Sequence, residues 1–215
     1  MPINQTIVGK IYIELKEKII NQQIKLNQRI SIKEIAEDFG ISQTPIREAL
    51  NRLIKDELVE YKLRRGYYVI RLSCKDLEEI YDLRNLIEVY ALEQGMMKDT
   101  IDKDLFQKYL QDSIEMQKEA IEPKKPLKYC ISDRELHLSI VKSSLNEKLY
   151  KIYMRMYPLV SISQQLDPLY ERSLNEHILL IKAILDKNIL DAKKILKAHI
   201  NNCKCDGIKS LKDYR

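Results

Sequence analysis

The sequence predicts a mainly α protein: an N-terminal winged helix-turn-helix followed by a C-terminal antiparallel all-helical bundle. Three observations point there. Residues 31–70 spell a capped helix, a glycine turn, a second helix and two short β-prone runs around a basic turn. After Arg71, glycine and proline are scarce and apolar residues recur at helical spacing. The net charge of +5 lies wholly in the front: residues 1–75 hold 14 Lys/Arg against 9 Asp/Glu, and the rest balance at 23 of each. The expected domains are residues 1–72 and 73–215. A length of 215 residues at 45% hydrophobic is enough to give each a core.

In chain order, Thr6 to Asn21 is an amphipathic helix with Ile7, Ile11, Leu15 and Ile19 on one face. Ser31 with Glu34 forms a capping box, and Ile32, Ile35, Ala36 and Phe39 follow as a buried stripe. Gly40 sits where a helix ends in positive φ. Ser42 or Thr44 caps the next helix, and Pro45 falls in its first turn, where a missing N–H costs little. Ile46, Ala49, Leu50, Leu53 and Ile54 face inward. Gln43, Thr44, Arg47, Asn51 and Lys55 face outward, as donors suited to base edges and phosphates. Leu58 to Tyr61 and Tyr67 to Ile70 read as strands, with Lys62, Arg64, Arg65 and Gly66 at the turn between them. The plain alternative is a helical hairpin followed by an incidental turn. Five features in the right order favour a reader of duplex DNA, and the placement of the charge agrees.

The second half divides into helices at about 73–97, 101–122, 127–143, 146–165, 168–187 and 189–205, with Thr100 as a cap and a loop at Pro123 and Pro126. No strand is expected outside the wing. The three histidines all lie here. Asp133 and His137 share one helix face, four residues apart. His177 and His199 lie at the edges of apolar stripes on the last two helices. Four inward ligands from three helices suit a divalent metal, with zinc, nickel, iron and manganese all compatible with imidazole and carboxylate. Equally, a histidine on an apolar stripe can be a hydrogen-bonded core residue. Arg84 shares a face with Ile80, Ile87 and Ala91. A buried guanidinium needs an anion, either a small ligand or Glu88 four residues on.

Four sparse, irregular cysteines read as reduced thiols, with Cys203-x-Cys205 only a weak metal pair. No signal peptide or membrane-spanning run is evident, so a soluble, cytoplasmic protein is expected.

SQTPIREALNRLIKDELVE followed by RRGYYV resembles the DNA-reading domain of GntR-family bacterial transcription regulators, and the helical half resembles the effector domain of their FadR-type (FCD) branch. The resemblance spans about Thr6 to Cys205. It implies a homodimer on a near-palindromic operator, a divalent metal on Asp133, His137, His177 and His199, and a small carboxylate effector with Arg84 as a candidate contact. Asn146 fits the asparagine that follows the first ligand pair, and Glu88 the end of an Arg-x-x-x-Glu. The DNA-facing set becomes Lys33, Ser42, Gln43, Thr44, Arg47, Arg64, Arg65 and Gly66. Gln43 stands where the family usually has arginine, which implies a weaker guanine contact. Lys33 likewise replaces an arginine and keeps only a phosphate contact. The expected function is a ligand-responsive repressor and not an enzyme. Two other readings compete: a metal-dependent hydrolase or lyase with an accessory reader, and a regulator whose metal is purely structural. A hydrolase needs a general base beside the open site, and Glu135 is turned off the Asp133–His137 face.

Overall fold

The structure, a computed structural model, describes residues 6–119, 127–166 and 170–213. Contacts divide the chain into two compact units, Met1–Ser73 and Cys74–Arg215.

The first unit contains α1 (Ile7–Ile20), β1 (Arg29–Ile30), α2 (Ile32–Phe39), α3 (Gln43–Lys55), β2 (Val59–Lys62) and β3 (Gly66–Val69). Thr6 caps α1 by accepting the Gly9 N–H at 3.1 Å. Ile11, Leu15 and Ile19 of α1 and Ile46, Ala49, Leu50 and Leu53 of α3 are buried together with Leu58, Val59, Tyr67 and Val69. Fully burying a side chain of this size contributes about 1.5–3 kcal/mol, so this small core carries the unit. Lys16 pairs with Asp56 at 2.8 Å and ties α1 to the end of α3.

Ser31 accepts the Glu34 N–H at 3.3 Å. Gly40 closes α2 at φ 62°, and the Ile41 N–H reaches back to the Ala36 carbonyl at 3.1 Å. Only a residue tolerant of the left-handed region fits that turn. The α2 stripe is half-buried rather than buried, because its main cover is α3 alone. The sheet has a third strand that the sequence reading missed: β1 pairs antiparallel with β3, giving the order β1-β3-β2. A two-residue strand is too short to show a period of two.

The second unit contains α4 (Cys74–Met97), α5 (Lys103–Glu119), α6 (Leu127–Ser143), α7 (Glu147–Leu166), α8 (Tyr170–Leu185) and α9 (Ile189–Asp213). Its principal packing is α4 on α9, α6 and α7, and α8 on α5 and α9. A Cβ on Gly95 would lie 2.1 Å from the Ser143 Oγ, so glycine lets α4 and α6 meet closely. Thr100 does not cap α5. Its hydroxyl donates to the Ser143 carbonyl at 2.6 Å, and Asp102 takes the cap by accepting the Leu105 N–H at 3.0 Å. Asn146 caps α7 through the Leu149 N–H at 3.0 Å. The final helix continues past Cys205 to Asp213, with Gly207 and Leu211 buried on its inner face. The loop expected at Pro123 and Pro126 lies outside the described residues. Among the described residues no helix is long and apolar enough to cross a membrane.

Candidate functional site

Two sites emerge, one in each unit. In the first unit a cleft of about 370 Å³ opens between α3 and the wing. Lys33, Gln43, Arg47, Arg64, Arg65 and Gly66 line it, six of the eight residues picked from the sequence. Thr44 and Ser42 are exposed beside it at the start of α3; Ser42 holds the N-cap position but makes no side-chain cap bond. The wing turn is tight: Arg64 has φ 60° and Gly66 φ 96°, and the Arg65 N–H donates to the Lys62 carbonyl at 2.9 Å. The Arg47 guanidinium donates to the Gln43 side-chain oxygen at 3.4 Å, so these two side chains touch one another.

Arg29 also lines this cleft and was missed from sequence. Its backbone pairs with Tyr68 and its Nε stands 3.9 Å from the Cβ position of Gly66. The signal would have been β1, which alternation could not reveal. Five cations around one concavity concentrate positive potential where a phosphate chain would run.

In the second unit α6 supplies Asp133 and His137, α8 supplies His177 and α9 supplies His199. All four are buried, and one ligand atom from each lies within 4.8 Å of the others. The Nε2 of His199 is 3.2 Å from that of His137 and 3.3 Å from that of His177. Asp133 Oδ1 is 3.5 Å from His177 Nε2 and 3.8 Å from His137 Nε2. Nitrogens bound at about 2.0–2.1 Å to one tetrahedral zinc stand about 3.3 Å apart, so the donor set fits a divalent ion.

The surrounding hydrogen bonds fit it too. His137 donates its Nδ1–H to Glu88 Oε2 at 2.6 Å, and His199 donates its Nδ1–H to Glu176 Oε2 at 2.8 Å. Both Nε2 atoms then present lone pairs to the centre. Gln164 holds the other oxygen of Asp133 at 2.7 Å. Lone pairs 3.2 Å apart in a buried site repel unless a cation lies between them. Burial pulls His137 down and His177 well below the imidazole range, whereas for His199 burial is outweighed by the Cys203 sulfur and Glu176, which push it up to about 10.

Arg84 is fully buried. Its Nε donates to Glu88 Oε1 at 2.6 Å, so the intrahelical pair exists. Its Nη1 and Nη2 are buried with no hydrogen-bond partner among the described residues. For Glu88, burial is outweighed by the Arg84 guanidinium and His137, which hold its carboxyl at about 2. Glu176 was missed from sequence because it is the chain neighbour of His177, where a helix turns it away; it serves His199 on α9 instead. Cys203 is buried with its Sγ 3.7 Å from His199 Nε2, while Cys205 is exposed. Two residues apart on a helix they face opposite ways, so they do not form a metal pair.

Residues 7–69 match the family described as bacterial regulatory proteins, gntR family, and residues 79–202 match the FCD domain. The chain is 30% identical over 188 residues to the gluconate operon transcriptional repressor of Bacillus licheniformis, covering 83% of this chain and 76% of that one. The crystal structure of a GntR transcriptional regulator from Rhodococcus sp. RHA1 superposes with a TM-score of 0.79 at 20% identity, over 97% of this chain and 99% of that one. A zinc-bound FCD domain of the regulator TM0439 matches with a TM-score of 0.59 at 24% identity, over 66% of this chain and 99% of the other.

Proposed function

The chain belongs to the gntR family of bacterial transcription regulators with an FCD effector domain, and from that premise we propose a metal-containing repressor released or engaged by a small organic acid. Residues 1–72 read the operator. Residues 73–215 hold the ion and the effector. The enzyme reading falls, since the relatives are transcription regulators.

The single observation that carries the proposal is the pairing of four convergent buried ligands with a buried guanidinium whose Nη edge is unsatisfied. Asp133, His137, His177 and His199 would hold the ion. A three-nitrogen, one-oxygen set favours zinc or nickel, with iron or manganese as alternatives. Bound there, the ion supplies a Lewis-acidic position for a carboxylate. Arg84 supplies two parallel N–H donors for the same or a second carboxylate. The relative from Bacillus licheniformis is a repressor of a gluconate operon, which supports both repression and a sugar acid as effector.

On the DNA side, Gln43, Thr44 and Arg47 read bases, with Ser42 beside them at the helix start. Lys33, Arg64 and Arg65 hold phosphates, and Gly66 lets the wing approach the groove. A near-palindromic operator needs two copies. The outward side of α4 supports a homodimer: Leu83, Leu86, Tyr90 and Met97 are exposed along one face of it, an apolar stripe suited to pairing with a second copy. The protein acts in the cytoplasm, where the operator is.

Metal analysis before and after chelation, followed by thermal-shift and operator-release measurements with a panel of organic acids, tests the reading. Bound metal, a carboxylate-dependent shift and altered DNA binding are expected. The complete burial of the four ligands favours one rival, a purely structural metal; it predicts bound metal with no response to any carboxylate.

A further inference from the structure

Glu88 occupies an unusual position among these groups. Its Oε2 accepts the Nδ1–H of His137 at 2.6 Å. Its Oε1 accepts Arg84 Nε at 2.6 Å and the Tyr153 hydroxyl at 2.7 Å. Arg84, Glu88, Tyr153 and His137 are all fully buried, so no solvent screens one charge from the next. One carboxylate thus stands between the guanidinium that lacks an anion and an imidazole of the metal set.

We infer that Glu88 couples the two ligands, so that an anion on the Nη edge of Arg84 tightens metal binding at His137, and metal tightens anion binding in return. The inference rests on the reading above, that this site holds both. An anion on Nη1 and Nη2 draws the guanidinium's charge away from Glu88. The carboxylate then pulls harder on the His137 Nδ1–H, and the His137 Nε2 becomes a stronger donor to the ion. Thermodynamic linkage makes the effect equal in the other direction. Glu88 is therefore a positioning residue that touches neither ligand.

The second carboxylate behind the site gives a matched control. Glu176 accepts the His199 Nδ1–H at 2.8 Å, but its other partners are Asn202 at 2.6 Å and the half-exposed Arg172 at 3.4 Å. It supports a ligand without reaching Arg84.

The experiment measures zinc affinity of the full-length protein by chelator competition, with and without saturating acetate. In the wild type, acetate is expected to tighten zinc by about 5–150-fold. Glu176→Gln weakens zinc by about 10–100-fold but keeps that ratio. Glu88→Gln weakens zinc comparably and lowers the ratio several-fold, leaving only the direct attraction between anion and ion. An unchanged ratio in Glu88→Gln, or a ratio of unity in zinc-bound wild type, overturns the inference. Failure to bind zinc at all instead overturns the function proposed above. A measurement on the wild type alone guards against misfolding of the variant. In the cobalt-loaded protein, acetate should move the shifted His137 Nδ1–H proton resonance further than that of His199. Equal movement of both, or movement of neither, refutes coupling through Glu88.

Discussion

Replacing Arg84 by methionine separates what the guanidinium does for the fold from what it does for a ligand. Methionine keeps most of the volume beneath Tyr81, whose ring lies 5.5 Å from the Arg84 Cζ. The substitution leaves Glu88 charged in a fully buried setting with only His137 and Tyr153 as partners. Breaking one side of a buried ion pair costs about 3–5 kcal/mol. The cost falls at the low end here, because the buried, unpartnered Nη1 and Nη2 are removed at the same time. At about 2–4 °C per kcal/mol for a protein of this size, a loss of about 3 kcal/mol lowers Tm by about 6–12 °C. The ligand effect is separate. A carboxylate at a hundred times its Kd stabilises by about 2.7 kcal/mol, a rise of about 5–11 °C in the wild type. Thermal unfolding of zinc-loaded protein, followed by far-UV circular dichroism, should show both: a lower baseline in Arg84→Met and no carboxylate-induced rise. A variant that retains the rise would refute the assignment of the anion to this guanidinium.

Arg47→Ala is expected to cost about 1–3 kcal/mol of operator affinity and to flatten base preference at its position; an unchanged affinity in a mobility-shift titration would remove Arg47 from the base-reading set. Arg29→Ala should weaken every duplex alike and reduce the slope of log affinity against log salt by about 1; a loss confined to one operator sequence would contradict a phosphate role. Binding-site selection should recover a weak guanine preference opposite Gln43, and a strong one would show that glutamine in place of arginine does not weaken the guanine contact there. Zinc must displace the proton that keeps the metal-free His199 charged up to about 10. Its folded value is raised, so protonation competes throughout the neutral range and affinity climbs about tenfold per unit from about pH 6 to about pH 8. A pH-independent zinc affinity would mean that His199 is not a ligand.

Much of the first unit was legible because its signals are local. Ser31, Gly40 and Pro45 punctuate helices within a few residues, and an outward face such as Gln43 to Lys55 follows from a period of 3.6. The misses were also local in cause. Thr100 resembled a cap, but a residue two places on made the bond. Arg29–Ile30 was too short a strand to carry a pattern. The half-buried α2 stripe shows that periodicity gives direction and not depth, since depth depends on which element covers the face.

In the second unit, sequence alone determined that Asp133, His137, His177, His199 and Arg84 point inward, because the apolar residues around them set the buried side of each helix. Which groups meet at that interior was decided by the tertiary structure. Only the packing of α4 against α6 and α7 brings Glu88 to both His137 and Tyr153, and only the α8–α9 contact carries Glu176 across to His199. Helical periodicity reports an angle about one axis. The distance between side chains on different axes depends on helix crossing and register, which no spacing along the chain records.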